Sequence, residues 1–306
     1  MKGTHTVGLV AAPFTPFTAD GDLALDVIPA YAAHLAGSGV VGAFVCGTTG
    51  EGMSLSREER QRVAEVWIRS SPPGFRIFVH VGGLALTDCR ALAAHAEAAG
   101  AYGIACLAPF FFRPVGVDGL VDWCAAVADA APTTPFYFYH IPSMTGVAVS
   151  VAEFLTRAGS RVPSLAGAKF THDDLDDLAA CLRVAGGRYD LLFGRDERLV
   201  EALALGVRGA VGSTYNFAAA PFVGIAAART GGDWGEAERL QAGAKRLIEE
   251  IAACCPQPLP AFKAAMARVG IDCGPVRPPL RQPSAEQRGR IEAVLAAHGH
   301  HGRGVS

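Results

Sequence analysis

Short runs of β-branched and aromatic residues alternate with longer helix-forming stretches along most of this chain. We predict eight strands, at 7–11, 41–46, 76–81, 103–107, 136–139, 165–170, 190–193 and 209–211. Eight strands separated by helices are typical of an α/β (β/α)8 TIM barrel. An open, doubly wound sheet would usually have fewer strands and a phosphate-binding glycine turn after the first one. We therefore predict the barrel.

Residues that begin and end helices support this division. Helical patterns occupy 57–70, 88–99, 117–130, 173–184 and 197–205. Ser56 and Glu59 form a capping box, and Thr87-Asp88 is predicted to open the next helix. A glycine follows each of three helical runs, as a C-terminal cap does, at Gly37, Gly100 and Gly206.

The sequence after the eighth strand is helical in pattern, and no polar linker sets it apart. Helices are predicted at 234–254, 260–268 and 284–298, with Pro260 in a first turn, where no backbone N–H is needed. We therefore expect a barrel over 1–228, C-terminal helices packed on it over 229–297, and a mobile tail over 298–306.

The composition limits the partners that such a chain can have. Apolar residues make up 50% and charged residues 18% of the 306 residues, which is enough for a large core. No run reaches the ~18 apolar residues of a membrane span, and the formal charge of −2 disfavours nucleic acid and anionic membranes. The N-terminus has no signal-peptide pattern, so we expect a cytoplasmic protein.

Cysteine and histidine spacing predicts no metal site. The eight cysteines include no C-x-x-C pair, so reduced, buried thiols are expected. The acidic run at 172–177 is typical of the solvated first turn of a helix, and the histidines within 298–301 lie in the tail.

Lysine is scarce, and only one lysine ends a strand. Lys2 is terminal, whereas Lys245 and Lys263 lie in predicted C-terminal helices among ordinary neighbours. Lys169 ends the strand at 165–170 and is expected at the barrel mouth. Partial desolvation there leaves some of the amine neutral and able to attack a carbonyl carbon. The alternative is a structural lysine held in an ion pair.

Tyr139 ends the strand that precedes the one with Lys169. Successive strands of a barrel are neighbours, so we expect both side chains at the same mouth. A phenol in that position can transfer a proton beside a Schiff base. A core tyrosine with a satisfied hydroxyl is the alternative.

Two further groups of polar residues follow strands. Gly47-Thr48-Thr49-Gly50-Glu51 follows the second strand, and its backbone N–H groups and hydroxyls suit a carboxylate. Asp196 and Glu197 follow the seventh strand and Ser213 follows the eighth, where they can hydrogen-bond to sugar hydroxyls. The alternatives are a tight turn and a helix N-terminus that favours acidic residues.

Four short segments, taken together in their order and spacing, form a more specific pattern than any single residue does. They are Gly47-Thr48-Thr49-Gly50-Glu51, Tyr139-His140-Ile141-Pro142, Gly167-Ala168-Lys169-Phe170-Thr171 and Gly212-Ser213-Thr214-Tyr215-Asn216. In order and spacing they resemble the N-acetylneuraminate lyase / dihydrodipicolinate synthase superfamily, over residues 5–285. Segments 192–197 and 108–111 are most similar to the animal type of N-acetylneuraminate lyases.

The resemblance implies a class I aldolase that needs no cofactor and assembles as a homotetramer. Lys169 would form an imine with the 2-keto carbon of the substrate, and Tyr139 would transfer the proton. Thr48 and Thr49 would hold the pyruvyl carboxylate. The family's contacts to the substrate polyol correspond to Thr171, Gly194, Asp196, Glu197 and Ser213.

Three positions depart from patterns in the superfamily. Met144 stands where dihydrodipicolinate synthases carry an arginine for the second substrate's carboxylate, which disfavours aspartate semialdehyde. Phe111 stands where many members place a tyrosine that reaches a neighbouring subunit's site. Arg195 is not fixed in the family and bears on recognition of the distal polyol chain.

The resemblance thus predicts reversible cleavage of N-acetylneuraminate to N-acetylmannosamine and pyruvate. The alternatives are a related pyruvate-imine aldolase or dehydratase acting on another 2-keto sugar acid, or a 4-hydroxy-tetrahydrodipicolinate synthase. A barrel that binds a keto acid without turnover, as a sensor or scaffold, is an alternative of a different class.

Overall fold

A computed structural model of the chain describes residues 5–299. Within that range, eight parallel strands close into a barrel in which each strand pairs with its neighbours in sequence and β1 pairs with β8. The strands are β1 Gly8–Ala11, β2 Gly42–Val45, β3 Arg76–His80, β4 Gly103–Leu107, β5 Phe136–His140, β6 Leu165–Phe170, β7 Asp190–Phe193 and β8 Gly209–Gly212. The predicted (β/α)8 barrel is confirmed, and no predicted strand end is wrong by more than one residue.

Helices separate the strands and continue beyond the last one. Those up to α8 connect successive strands, and α9 to α12 follow β8. The helices are α1 Ile28–Gly37, α2 Arg57–Ser70, α3 Leu86–Ala99, α4 Gly116–Ala128, α5 Pro142–Thr145, α6 Val151–Ala158, α7 Leu175–Cys181, α8 Leu199–Leu205, α9 Ala219–Thr230, α10 Trp234–Ala252, α11 Pro258–Ala265 and α12 Ala285–Ala297.

Local capping explains several helix ends. The Ser56 hydroxyl accepts from the Glu59 N–H at 3.1 Å, and the Glu59 carboxylate accepts from the Ser56 N–H at 2.8 Å, so the predicted capping box is confirmed. Gly100 and Gly206 end α3 and α8 in the left-handed conformation that glycine adopts without strain.

Other boundary predictions were wrong. Thr87-Asp88 does not cap α3, which begins one residue earlier without a side-chain cap. Gly37 lies inside the last turn of α1, and Gly39 carries the positive φ of +83°. The helix predicted at 173–184 covers only Leu175–Cys181, and the left-handed residues Ala185 and Gly186 follow it.

The core has two layers because strand residues alternate in direction. Tyr137 and Tyr139 of β5 point into the barrel, where they pack with Phe44 and Phe78. Phe138, between the two tyrosines, points outward, and its ring centroid lies 4.4 Å from the ring centroid of Phe154 on α6. Both faces of each strand are buried, which explains why the strands are continuously apolar.

The C-terminal helices contact loops at the mouth of the barrel. The Gln241 amide of α10 donates to the Asp196 carbonyl at 3.0 Å, and the Lys263 amine of α11 lies 2.8 Å from a carboxylate oxygen of Glu51. We therefore propose that 229–297 is an extension of the barrel over 1–228 rather than a separate domain. His298 follows α12, with Nε2 3.0 Å from Glu250 Oε2, and the rest of the predicted tail from 300 onward lies outside the described residues.

Two expectations from composition can be compared with the structure. All eight cysteines lie among the described residues as free thiols, seven of them buried and Cys255 half-buried, as predicted. Between residues 5 and 299, no helix combines the length and apolar character that crossing a bilayer requires.

Candidate active site

A cavity of about 180 Å³ opens where the barrel strands end at their carboxyl termini. Its wall includes all nine predicted site residues, namely Thr48, Thr49, Tyr139, Lys169, Thr171, Gly194, Asp196, Glu197 and Ser213. A larger crevice of about 620 Å³ lies between the N-terminal loop and α11, but it contains none of these nine residues. The chemistry of the lining, rather than its volume, therefore identifies the smaller cavity as the candidate site.

Lys169 lies at the centre of this site because its position on β6 directs it into the barrel. Its side chain is buried, and Nζ lies 4.1 Å from the ring centroids of both Phe44 and Tyr139. Among residues 5–299, the Lys169 amine takes part in no ion pair. The amine is therefore desolvated by aromatic rings, and the alternative of an ion-paired structural lysine is not supported.

Tyr139 on β5 lies directly beside Lys169 on the adjacent strand β6. The two residues are register partners in the β5–β6 pair, so the prediction that they meet at one barrel mouth is confirmed. The phenol oxygen lies 3.2 Å from Oγ1 of Thr48. This hydrogen bond connects the phenol to the turn that follows β2.

That turn is held in a closed conformation by its own backbone. The Glu51 N–H donates to the Thr48 carbonyl at 3.1 Å, and the Gly52 N–H donates to the Gly47 carbonyl at 3.0 Å. A Cβ at Gly52 would lie 1.9 Å from the carbonyl oxygen of Cys46, so only glycine fits there. The turn thus exposes Thr48 and its neighbour to the cavity from a rigid base.

Thr171 and Gly194 form a pair across β6 and β7. The Thr171 hydroxyl is buried and has no hydrogen-bond partner among the described residues. A Cβ at Gly194 would lie 2.0 Å from that hydroxyl, so glycine is needed to leave the hydroxyl in place. A buried hydroxyl without a partner at a cavity wall is suited to a polar ligand.

Asp196 is a buried carboxylate with one oxygen unused. Oδ2 accepts from the Thr214 N–H at 3.0 Å, whereas Oδ1 has no partner among the described residues. Burial raises the pKa of Asp196 to about 6, and the nearby charge of Glu197 adds to the increase. This side chain can therefore accept a hydrogen bond from a ligand hydroxyl at neutral pH.

An Asp196→Asn variant is expected to be more stable than the wild type above pH 6. Because the pKa of Asp196 is about 6 in the folded state, the folded chain binds more protons than the unfolded chain below that pH, and stability falls as pH rises. Asparagine keeps an acceptor for the Thr214 N–H and never ionises. The difference in unfolding free energy is expected to grow from pH ~4 to pH ~6 and then to stay constant, on the order of 1–3 kcal/mol.

Denaturant unfolding of both proteins at several pH values between 4 and 8 measures this difference. The exposed Asp20→Asn variant is the matched control, because it removes a carboxylate without relieving burial. A difference between wild type and Asp196→Asn that does not change with pH would contradict the prediction.

Arg195 and Glu197 lie at the rim of the cavity. Arg195 Nη1 lies 2.6 Å from Oδ2 of Asp173, and its Nε lies 3.6 Å from Oε2 of Glu197. The positive charge of Arg195 is therefore compensated by two carboxylates, and the arginine orients one of the predicted polyol contacts.

Sequence reasoning missed the contribution of the C-terminal helices. Ile248 of α10 and Phe262 of α11 line the cavity. The expectation that Lys263 has ordinary neighbours was wrong, because its side chain is buried in an ion pair with Glu51. No local signal marks this pair, since its members are 212 residues apart in the sequence.

Met144 and Phe111, two of the three positions that depart from the superfamily patterns, do not line the cavity. Met144 lies in the short helix α5 and is 62% exposed. Phe111 follows β4, is 73% exposed, and packs edge-to-face on Phe112 with ring centroids 5.0 Å apart. Neither residue takes part in the site of this single chain.

Fold and site together define a (β/α)8-barrel protein whose polar side chains gather at the carboxyl ends of the strands, the position of active sites in barrel enzymes. The chain matches the model of the Dihydrodipicolinate synthetase family over residues 5–298. It belongs to that family, as the four sequence segments predicted.

Relatives and a solved structure extend the comparison over nearly the whole chain. The N-acetylneuraminate lyase of Xenopus tropicalis is 41% identical over 281 residues, which are 91% of this chain and 92% of the relative. That of Rattus norvegicus is 42% identical over 292 residues, 94% of this chain and 91% of the relative. The structure of Proteus mirabilis N-acetylneuraminate lyase superposes with a TM-score of 0.93 at 39% identity, covering 97% of this chain and 100% of that one.

Proposed function

We propose that this chain is a carbon–carbon lyase of class I that reversibly cleaves N-acetylneuraminate to N-acetylmannosamine and pyruvate. The observation that carries the proposal is the Lys169 amine, which is buried beside Tyr139 and makes no ion pair within the part of the chain that the structure describes. The N-acetylneuraminate lyases that are about 41% identical to this chain support the choice of substrate.

The first step is imine formation. The neutral Lys169 amine attacks C2 of the open-chain sugar acid, and uptake of one proton with loss of one water gives an iminium between Nζ and C2. Nζ lies 4.1 Å from two aromatic ring centroids, and no carboxylate within residues 5–299 holds the amine in an ion pair. The positively charged iminium then acts as the electron sink for the next step.

Cleavage of the C3–C4 bond requires removal of the proton on the C4 hydroxyl. Tyr139 accepts this proton and passes its own phenol proton to the substrate carboxylate, while the C3–C4 electron pair moves toward the iminium. N-acetylmannosamine leaves as the aldehyde, and an enamine remains on Lys169. Protonation of the enamine at C3 and hydrolysis of the imine release pyruvate and restore the amine.

Two sets of groups hold the substrate. Thr48 and Thr49, on the closed turn after β2, are assigned to the pyruvyl carboxylate. The unpartnered oxygens of Thr171 and Asp196 support their assignment to the hydroxyls of the polyol. Gly194, Glu197 and Ser213, which line the same wall, complete that assignment.

The alternatives differ in substrate rather than in the first chemical step. A related aldolase or dehydratase for another 2-keto sugar acid would use the same Lys169 imine, and the polyol wall does not determine sugar stereochemistry. A 4-hydroxy-tetrahydrodipicolinate synthase is disfavoured because Met144 supplies no cation for a second carboxylate. A non-catalytic sensor would require an ion-paired Lys169, and no such pair is found among the described residues.

Pyruvate release from a panel of keto acids, coupled to lactate dehydrogenase, tests the proposed substrate. We expect N-acetylneuraminate to be turned over with a higher kcat/KM than six-carbon 2-keto-3-deoxy sugar acids. Brisk turnover of a six-carbon acid beside no turnover of N-acetylneuraminate would move the assignment to the related aldolases. Condensation of pyruvate with aspartate semialdehyde would favour the synthase.

We propose that the chain assembles as a homotetramer through an apolar surface beside the barrel mouth. Four large apolar side chains on the loops after β3 and β4 are strongly exposed. Their exposed fractions are 52% for Leu84, 73% for Phe111, 86% for Phe112 and 93% for Val115. Leu84, Phe111 and Phe112 line one apolar depression, and exposed apolar surface of this kind marks protein interfaces. Light scattering of the purified chain measures the assembly state, and a monomer at micromolar concentration would overturn the proposal.

We infer a cytoplasmic setting from the thiols. Eight free cysteines in the described residues, seven of them buried, are typical of proteins that stay in a reducing compartment. Fractionation of cells that produce the chain, followed by immunoblotting, tests this location.

A further inference from the structure

Glu51, the last residue of the turn that carries Thr48 and Thr49, reaches away from the cavity toward the C-terminal helices. Its Oε1 lies 2.8 Å from Nζ of Lys263 on α11, and both side chains are only 1% exposed. Its Oε2 accepts from the N–H of Arg277 at 2.8 Å. Both carboxylate oxygens are therefore engaged by the C-terminal region.

Arg277, which binds Glu51 through its backbone N–H, also binds residues that follow the turn. Arg277 donates to the Ser54 carbonyl at 3.0 Å and pairs with Glu59 at 2.5 Å. The Lys263 amine and the Arg277 guanidinium lie 4.2 and 4.4 Å from the ring centroid of Phe17. The charges of Lys263 and Glu51, which are buried almost completely, require specific partners, so the arrangement of this pair admits little variation.

The backbone conformation of Glu51 is one that depends on contacts of this kind. Its φ of +54° and ψ of 31° place a non-glycine residue in the left-handed region, which other residues adopt only when their surroundings impose it. The same residue closes the turn by donating its N–H to the Thr48 carbonyl. Thr48 in turn contacts the Tyr139 phenol at 3.2 Å.

We propose that Lys263 is a positioning residue for the active site, because through Glu51 it holds the threonine turn in the conformation that receives the substrate carboxylate. This inference rests on the proposed function. It makes the C-terminal extension part of the catalytic unit, since α11 also contributes Phe262, the residue before Lys263, to the cavity wall.

Three variants test the role of Lys263. Lys263→Met leaves Glu51 buried without its cation, so both stability and pyruvate binding are expected to fall. Glu51→Gln with Lys263→Met removes both charges but keeps an acceptor for the Arg277 N–H, and it is expected to recover most of the melting temperature because no unpaired charge is left buried. Lys245→Met is the matched control, since that lysine of α10 is 55% exposed and its amine lies 3.8 Å from Glu249.

The decisive readout is the pyruvate concentration that gives half-maximal borohydride trapping on Lys169. In the double variant it is expected to rise by roughly 10- to 100-fold although the fold is intact, which is the size of effect that displaced positioning groups produce. Trapping at saturating pyruvate is expected to be preserved, because Lys169 itself is untouched.

The outcomes separate this inference from the proposed function. A double variant that recovers both the melting temperature and the wild-type pyruvate dependence would show that the pair only fills space, and the inference would be overturned. Absence of any trapped adduct in the wild-type protein would instead overturn the proposed function. A Lys245→Met variant that shifts the pyruvate dependence as much as the double variant would also count against a specific role of Lys263.

Discussion

Replacing Lys169 by methionine is expected to abolish both pyruvate release from N-acetylneuraminate and the borohydride-trapped pyruvate adduct. Methionine retains an unbranched chain between the rings of Phe44 and Tyr139, so the packing of the barrel mouth is preserved. It has no nucleophilic amine, and loss of a covalent nucleophile lowers kcat by roughly 10⁴- to 10⁶-fold. Mass spectrometry of the reduced protein and the coupled assay measure the two effects.

The matched control is Lys245→Met, which removes an exposed lysine and is expected to keep both the adduct and the activity. The Lys169 variant is also expected to fold, since the amine leaves no buried carboxylate behind when it is removed. A trapped adduct that persists in Lys169→Met, at unchanged yield, would refute the imine proposal.

The second large effect is expected for Tyr139→Phe. The change removes only the hydroxyl that lies 3.2 Å from Thr48, and the ring keeps its contacts with Phe44 and His80. Loss of the group that transfers the proton should lower kcat for cleavage by roughly 10²- to 10⁴-fold. Trapping of pyruvate on Lys169 should persist, because the amine is still in place.

Tyr137→Phe provides the control for this variant. Tyr137 lies on the same strand and also points into the barrel, but its hydroxyl donates to Asp190 Oδ2 at 3.0 Å below the mouth. Its removal is expected to lower stability and to leave kcat close to that of the wild type. Equal losses of kcat in both variants would indicate a general effect of losing a barrel hydroxyl rather than a catalytic role of Tyr139.

Much of the site was predictable because barrel geometry converts sequence order into proximity. Residues that end successive strands meet at one mouth, so the position of Lys169 after Tyr139 on the next strand was enough to predict that they are neighbours. The same rule placed Asp196 and Ser213 on the same wall, after β7 and β8. For these residues local pattern and fold class together were sufficient.

Helix boundaries were less predictable because competing local signals have similar strength. Thr87-Asp88 has the composition of a helix start, yet α3 begins at Leu86 without a side-chain cap. Near the end of α7, Ala185 adopts a left-handed conformation that alanine does not favour by itself. Thr87 and Ala185 are both exposed, so local backbone geometry rather than packing sets the boundary in both places.

The sequence by itself determined the barrel and the residues at its mouth, including Lys169, because these depend on periodicity and on strand order. Only the tertiary structure decided that the Lys169 amine lies against two rings with no ion pair to any residue of 5–299, and that Lys263 pairs with Glu51. The physical reason is that a buried charge is defined by every group packed around it, and those groups come from segments far apart in the chain. Closing the barrel and docking the C-terminal helices bring them together.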